Sequence, residues 1–295
     1  MITSSPLFDI NQLTTEEQEK FTIVYNELQP NYTSYLQYKL NLELDTKFER
    51  EEEENEWHYE LHRFLRARKW NVPHTIKCLV EMIKWRMDNH VDLVLEHKPT
   101  SDRVNLLQKI VPFVDHGYTK TDRPLYIEKS GLFNVDRLLN SFQPGELIQC
   151  HIYWLELHCR LARERSRQTG KHIESFALLH DLNGCKVEMR KVLPLFKQSI
   201  NIDDTYYPER LAQMFLVNPP AIFPILWNLV KHWLDPVTKT KIVVVKKGSD
   251  ISTILLQHID SDQLPCEYGG SCHSCSTAPD CIPVYDWSKD INGDK

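Results

Sequence analysis

From Ile110 onward, short apolar runs alternate with longer helical stretches, and that alternation constrains the fold more than any other feature of the chain. The runs Pro124 to Glu128, Phe176 to His180, Met214 to Val217 and Ile242 to Val245 have strand length. Between them, helical spacing covers about Gly145 to Gln168, Lys186 to Ile200 and Ala221 to Leu234. Strand, helix, strand in succession predicts an α/β fold: a mainly parallel sheet with right-handed crossovers and helices packed on it. Nothing repeats at a fixed period, which excludes a solenoid.

The last of these helices is unusual. Ile222, Phe223, Ile225, Leu226, Trp227, Leu229, Val230, Trp233 and Leu234 cover one helical stripe and most of the opposite face, interrupted only by Asn228, Lys231 and His232. A helix without a polar side belongs in a core, in a membrane, or against a ligand as apolar as itself. Asp235-Pro236 ends it, because proline lacks the N–H that would continue the ladder and restricts the residue before it. The charged turn Tyr206-Tyr207-Pro208-Glu209-Arg210 precedes this region, and Lys241 stands at the mouth of the final strand. Charges flanking an oily helix suggest a ligand with a charged head and an apolar body.

The 295 residues can bury a sizeable core as one large domain or two small ones. A net charge of −6 argues against nucleic-acid binding driven by a global positive field. Met1 to Pro6 has neither a basic nor an apolar leader region, and no apolar run approaches the ~18 residues that span a bilayer. These features predict a cytoplasmic protein whose membrane contact is peripheral. Eight cysteines are then expected as thiols. Cys272-His273-Ser274-Cys275, with Cys266 and Cys281 close by, has the gap of a zinc half-site. Separate thiols without a metal are the reading adopted, because paired zinc half-sites are usually spaced by a longer loop.

Residues 1 to 56 read as a polar extension ending in an acidic run, a solvated helix or linker. Trp57 to Met87 has the spacing of an αα-hairpin broken near Asn71-Val72-Pro73. His58 and His62 share a face, but Tyr59 stands where a zinc protease needs Glu, so both read as surface histidines. No phosphate loop or nucleophile elbow appears. His180-Asp181, at a strand end, suits a proton-transfer pair or metal ligands, but without a second cluster it reads as a turn residue and a partly packed histidine. The cations of Arg63 to Trp70 are divided between a solvated face and inward-turned ligands. Those of Arg160, Arg163, Arg165, Arg167 and Lys171 read as an exposed helix end favoured by its dipole, with an anionic membrane as the alternative.

Five segments, in order, resemble the Sec14-like, or CRAL-TRIO, lipid-binding proteins. They are Arg63 to Trp70, Arg123 to Tyr126, Tyr206 to Leu211, Asp235 to Ile242 and Leu264 to Gly270. The resemblance implies a small N-terminal helical unit over residues 57–100 and an α/β lipid-binding domain over 105–271, with 272–295 as a C-terminal extension. It implies a sheet that floors an apolar pocket, here with Tyr126, Phe176 and Leu178, and a movable gate helix carrying Ile222, Phe223, Leu226, Trp227 and Val230. By the same resemblance, Arg68, Lys69, Glu209, Thr238 and Lys241 form the phosphatidylinositol headgroup set. A phosphodiester needs Arg or Lys, and inositol hydroxyls need groups such as Glu and Thr. A structural ion pair between Glu209 and Lys241 is the alternative for those two residues.

Relatives that also carry phosphatidylcholine are similar to one another in bearing hydroxyls where this chain has Phe176 and Leu178. Leaving a buried phosphate without those partners is costly, so a sterol or another bulky apolar molecule fits better as second ligand. The resemblance therefore implies a monomeric, non-enzymatic lipid-transfer protein with no cofactor beyond its bound phospholipid. It would meet membranes peripherally and present lipid to a phosphoinositide kinase. The alternatives are a carrier of sterol or similar ligands, a lipid-regulated scaffold, and a hydrolase.

Overall fold

The structure is a computed structural model, described over residues 5–42, 50–246, 248–272 and 281–286. In chain order its α-helices are α1 (Thr15–Leu40), α2 (Arg50–Ala67), α3 (Val72–Asp88), α4 (Lys98–Ile110), α5 (Val135–Ser141), α6 (Pro144–Thr169), α7 (Leu193–Tyr206), α8 (Phe223–Val230), α9 (Pro236–Thr240) and α10 (Ile251–Leu255). The strands are β1 (Phe113–Tyr118), β2 (Pro124–Glu128), β3 (Phe176–Asp181), β4 (Leu211–Val217) and β5 (Ile242–Val244). The chain divides into two compact units. The first gathers Met1–Ser101, His151–Glu174 and Ser199–Arg210; the second gathers Asp102–Cys150, Ser175–Gln198 and Leu211–Lys295.

In the first unit, Thr14 caps α1 through a capping box with Glu17, which satisfies amide donors that a helix start leaves unpaired. The helix then buries Phe21, Val24, Leu28, Tyr32 and Tyr35, spaced three or four apart, against Trp57, Leu61 and Phe64 of α2 and Leu79 and Ile83 of α3. The expected polar extension over residues 1–56 is thus corrected: Thr15–Leu40 within it form a helix that packs into the core. Tyrosines supply much of its buried face, so the stripe is only weakly hydrophobic in composition. Tyr32 lies flat on Trp57, with ring centroids 4.6 Å apart. The acidic run opens α2 and pairs in part, Glu53 with Lys39 and Glu52 with Arg167.

The same unit holds two polar networks. Arg86 binds Glu156 and Asp92, each at 2.7 Å, and donates to the Tyr35 hydroxyl at 2.7 Å, while Tyr207 donates to Glu156 at 2.6 Å. The second centres on Arg63, 1% exposed, which pairs with Glu60 and donates to the Pro208 carbonyl. Burial alone would raise the Glu60 carboxyl, but Arg63 and Arg210 outweigh it and hold the group below its ordinary value. His58 and His62 are half-buried among Phe8, Phe21 and Tyr25 rather than on the surface, and burial pushes both imidazoles below their ordinary value.

The second unit is built on a five-stranded sheet in the order β1-β2-β3-β4-β5. The pairs from β2 to β5 are parallel, and β1 is an antiparallel edge that the apolar-run pattern did not disclose. One face contributes Leu125, Ile127, Ala177, Leu179, Phe215 and Val217 to a core completed by Leu255, Ile259, Leu264 and Ile282. Side chains alternate across a strand, so Tyr126, Leu178, Met214 and Ile242, which pair in one row across four strands, share the other face.

Candidate lipid-binding site

The non-core face of the sheet carries the predicted pocket residues. Tyr126, Phe176 and Leu178 are buried, whereas Met214, Ile242 and Val244 toward β5 are only half-buried. Beyond the Tyr126 row lie Glu128, His180, Leu216 and Val244. Tyr126 donates to Glu128 at 2.8 Å, Ser130 donates to Glu128 at 2.6 Å, and His180 Nδ1 lies 3.0 Å from Ser130 Oγ. Burial would raise the Glu128 carboxyl, but His180 and these hydroxyls together hold it below its ordinary value. An apolar floor therefore ends in a small polar network.

Asp181 is engaged elsewhere. It accepts from the Asn183 amide and the Asn218 side chain, each at 2.9 Å, and from the Tyr268 hydroxyl at 3.2 Å. Those bonds shape the turn at the end of β3. Asp181 makes a turn here, and the recorded partners of His180 are Ser130 and Glu128 instead.

The oily segment forms α8 over Phe223–Val230, shorter than the predicted Ala221 to Leu234, with Ile222 at its N-cap and hydrogen-bonded turns after it. Not one residue of α8 is buried: Ile225 is 61% exposed and Leu229 49%. Leu226, Trp227 and Val230 are half-buried, and Phe223 stacks on Trp227 with centroids 5.8 Å apart. Exposed apolar surface of this kind marks sites of interaction with ligands, membranes or other proteins.

The five headgroup residues divide between the units. Thr238 lies in α9, which Asp235 caps by accepting from the Val237 amide at 2.6 Å and the Thr238 amide at 3.0 Å. Lys241 follows directly, its carbonyl accepting from the Met214 amide at 2.9 Å, which fixes its backbone at the start of β5. Arg68, Lys69 and Glu209 belong to the first unit. Arg68 donates to the Asp204 carbonyl at 2.8 Å and approaches Cys78 Sγ at 3.3 Å, so it braces the end of α7. With Arg63 on the Pro208 carbonyl, two arginines of α2 and its C-terminal turn hold the segment that presents Glu209. Lys69 and Glu209 have φ of 52° and 62°, the left-handed region that side chains larger than glycine enter at a cost. Sequence reasoning recognised this segment but missed the bracing role of Arg63, whose burial a helical pattern alone does not reveal. Of the second basic group, Arg167 pairs with Glu52 and Arg160 approaches Glu96, so part of that charge is neutralised within the unit.

The comparisons with known proteins agree with this geometry. Residues 108–270 match the CRAL/TRIO domain, and residues 16–81 match the CRAL/TRIO N-terminal domain. The chain belongs to the CRAL/TRIO family. The N-terminal match includes most of α1, in keeping with its place in the core.

Among CRAL/TRIO relatives, the Sec14 cytosolic factor of Schizosaccharomyces pombe is 31% identical over 218 residues, covering 71% of this chain and 73% of that protein. The SEC14 cytosolic factor of Eremothecium gossypii is 32% identical over 210 residues, covering 70% and 67%. The phosphatidylinositol/phosphatidylcholine transfer protein SFH7 of Arabidopsis thaliana is 31% identical over 231 residues, covering 76% of this chain but 42% of that longer protein. The crystal structure of Sfh5 shares the fold, with a TM-score of 0.54 at 20% identity over 66% of this chain and 68% of that one. No helix among the described residues is long and apolar enough to cross a membrane.

The cysteines depart from expectation. Cys272 and Cys281 are buried, and their sulfur atoms and a ring nitrogen of His116 all lie within 4.8 Å of one another. Both are thiols, as expected, but they are buried and close together rather than out on an extension, and Ile282 beside them is part of the sheet core. Cys275 lies outside the described residues.

Proposed function

We propose that this CRAL/TRIO protein binds a phospholipid, with phosphatidylinositol as the headgroup-selected ligand, and exchanges it between membranes. The observation that carries the reading is α8: an eight-residue apolar helix with no buried residue, in the same unit as a half-buried apolar sheet face. Relatives named as phosphatidylinositol/phosphatidylcholine transfer proteins support it. The mechanism is sequestration. Acyl chains gain ~0.8 kcal/mol per CH₂ kept from water, in a bilayer or in a protein pocket, so exchange between the two is close to balanced. Moving α8 outward at a bilayer would let the membrane cover its apolar residues while the lipid passes.

Within the second unit, Thr238 of α9 and Lys241, directly before β5, would contact the inositol phosphate. Arg68 contributes chiefly by holding the turn before Glu209. Phe176 and Leu178 beside Tyr126 favour an apolar second ligand over phosphatidylcholine. The protein would act as a cytoplasmic monomer, visiting membranes transiently and presenting lipid to a phosphoinositide kinase, without catalysis of its own. Transfer of labelled phosphatidylinositol between vesicles by wild type and Lys241→Ala tests the reading. Transfer should fall strongly in the variant, and unaltered transfer would remove Lys241 from the headgroup set. Mass spectrometry of lipids extracted from the purified protein identifies the second ligand.

A further inference from the structure

The edge strand and the C-terminal segment converge on a cluster that lipid binding does not use. In β1 the pairing register shifts between Asp115 and Tyr118, and Gly117 at that point has φ +62°. Such a bulge re-aims the side chains around it. Gln263 fills the space above Gly117, where a Cβ would come within 2.4 Å of its side-chain oxygen. That oxygen accepts from the Tyr118 amide at 3.3 Å, and the Gln263 carbonyl lies 3.0 Å from His116 Nδ1. A carbonyl only accepts, so Nδ1 is the donor in this bond, which leaves Nε2 as the nitrogen that could ligate a metal.

From the other side, Leu264 to Gly270 forms a tight loop. The Gly270 amide bonds the Pro265 carbonyl at 3.1 Å, the Cys272 amide bonds the Leu264 carbonyl at 3.2 Å, and Gly269 has φ +88°. A side chain at Gly270 would lie 1.9 Å from the Leu264 carbonyl oxygen, so only glycine fits. The loop returns Cys272 to the sheet, and Cys281 arrives beside Ile282. His116, Cys272 and Cys281 are 7, 3 and 1% exposed.

We propose that His116, Cys272 and Cys281 bind a zinc ion that fastens the C-terminal segment to β1. Zinc holds sulfur at ~2.3 Å and nitrogen at ~2.0 Å, and tetrahedral angles then place neighbouring donors about 3.5–3.8 Å apart. The three donors, all within 4.8 Å of one another, need to close by no more than about 1.0–1.3 Å to reach that geometry. Two thiolates and an imidazole select zinc over the hard cations magnesium and calcium, which take oxygen. A backbone carbonyl on the far nitrogen of the imidazole is the usual support of a metal-binding histidine. Buried thiols also pack as small apolar groups, but packing alone does not require a histidine ring nitrogen within 4.8 Å of both sulfurs. The tetrahedral preference leaves one position for a further donor.

The test uses the full chain, purified without a histidine tag or chelator under reducing conditions, supplied with zinc and dialysed. Elemental mass spectrometry should find about one zinc per chain, and cobalt replacement should give the visible bands of a tetrahedral thiolate site. Cys281→Ser and His116→Ala should each lower bound metal at least about tenfold, whereas Cys185→Ser, in the same unit, should keep it. Folding of each variant is checked by circular dichroism. As a readout on the unmutated chain, alkylation of Cys272 and Cys281 should accelerate when a chelator removes the metal. Zinc below about one-tenth of an equivalent with no cobalt spectrum would overturn the proposal. So would a Cys272–Cys281 disulfide in the protein as isolated.

Discussion

Replacing Ile225 and Leu229 together by serine separates a membrane-facing role for α8 from a structural one. Fully burying an Ile or Leu side chain is worth roughly 1.5–3 kcal/mol. Ile225 is 61% exposed and Leu229 49%, so roughly 0.9–1.8 and 0.7–1.5 kcal/mol remain to be gained when a bilayer covers them. Together that is roughly 1.6–3.3 kcal/mol, or about 15- to 200-fold in an equilibrium constant at 1.4 kcal/mol per tenfold. The double variant should bind phospholipid vesicles about that much more weakly in a flotation assay, and its rate of lipid transfer should fall in parallel. Its folding stability should hardly change, within about 0.5 kcal/mol per site, because neither side chain is buried in the folded chain. Vesicle binding within about twofold of wild type would refute the reasoning. A large loss of stability would equally do so, since it would mean that α8 is packed as a core element.

Three further outcomes follow from the geometry. Arg86→Met leaves Asp92 and Glu156 without their shared cation and should cost roughly 3–5 kcal/mol in urea unfolding; a cost under about 1 kcal/mol would show the network to be dispensable. Asp235→Ala removes the cap on α9 and should cost about 1 kcal/mol and slow phosphatidylinositol transfer, while Asp235→Asn, which still accepts hydrogen bonds, should preserve most of both. His58 and His62 have folded pKa values below the unfolded one, so folding binds fewer protons than unfolding. Their contribution is complete above the unfolded value of about 6.5 and is lost as pH falls through the folded values. Urea midpoints measured downward from pH 7.5 should decline, and NMR titration should place both imidazoles below about 6.5; midpoints at or above it would contradict the burial argument.

The parts of the fold legible in the sequence were those whose burial is continuous. β2 and β3 are buried along most of their length and read as uninterrupted apolar runs. β1 is an edge strand with alternating burial and Asp115, His116 and Gly117 in its middle, so its pattern carries little hydrophobic signal. α1 hid for a different reason: Tyr32 and Tyr35, two of its five buried residues, look polar in sequence until their rings are seen against Trp57 and Tyr38. The headgroup segments were recognisable from their order, yet that order did not tell a ligand from a brace, and Arg68 turns toward the Asp204 carbonyl. His116 had no signal of its own. It matters because a bulge and a distant glycine-rich loop bring it to two cysteines, a relation that spacing along the chain does not express.

The interleaving of the two compact units sets a schedule for the nascent protein. The first unit begins at the N-terminus, but part of its polar core is completed late: Arg86 has Asp92 nearby in sequence yet also binds Glu156, and Arg63 has Glu60 yet also binds the Pro208 carbonyl. On a ribosome releasing about 5–20 residues per second, α1 to α3 therefore emerge well before the last partners of their buried arginines, Glu156 and the Pro208 carbonyl. A fragment ending near residue 101 would keep the helices with Glu60 and Asp92 but lose Glu156 and the Pro208 carbonyl, so this piece of the chain would carry its core arginines with only part of their partners.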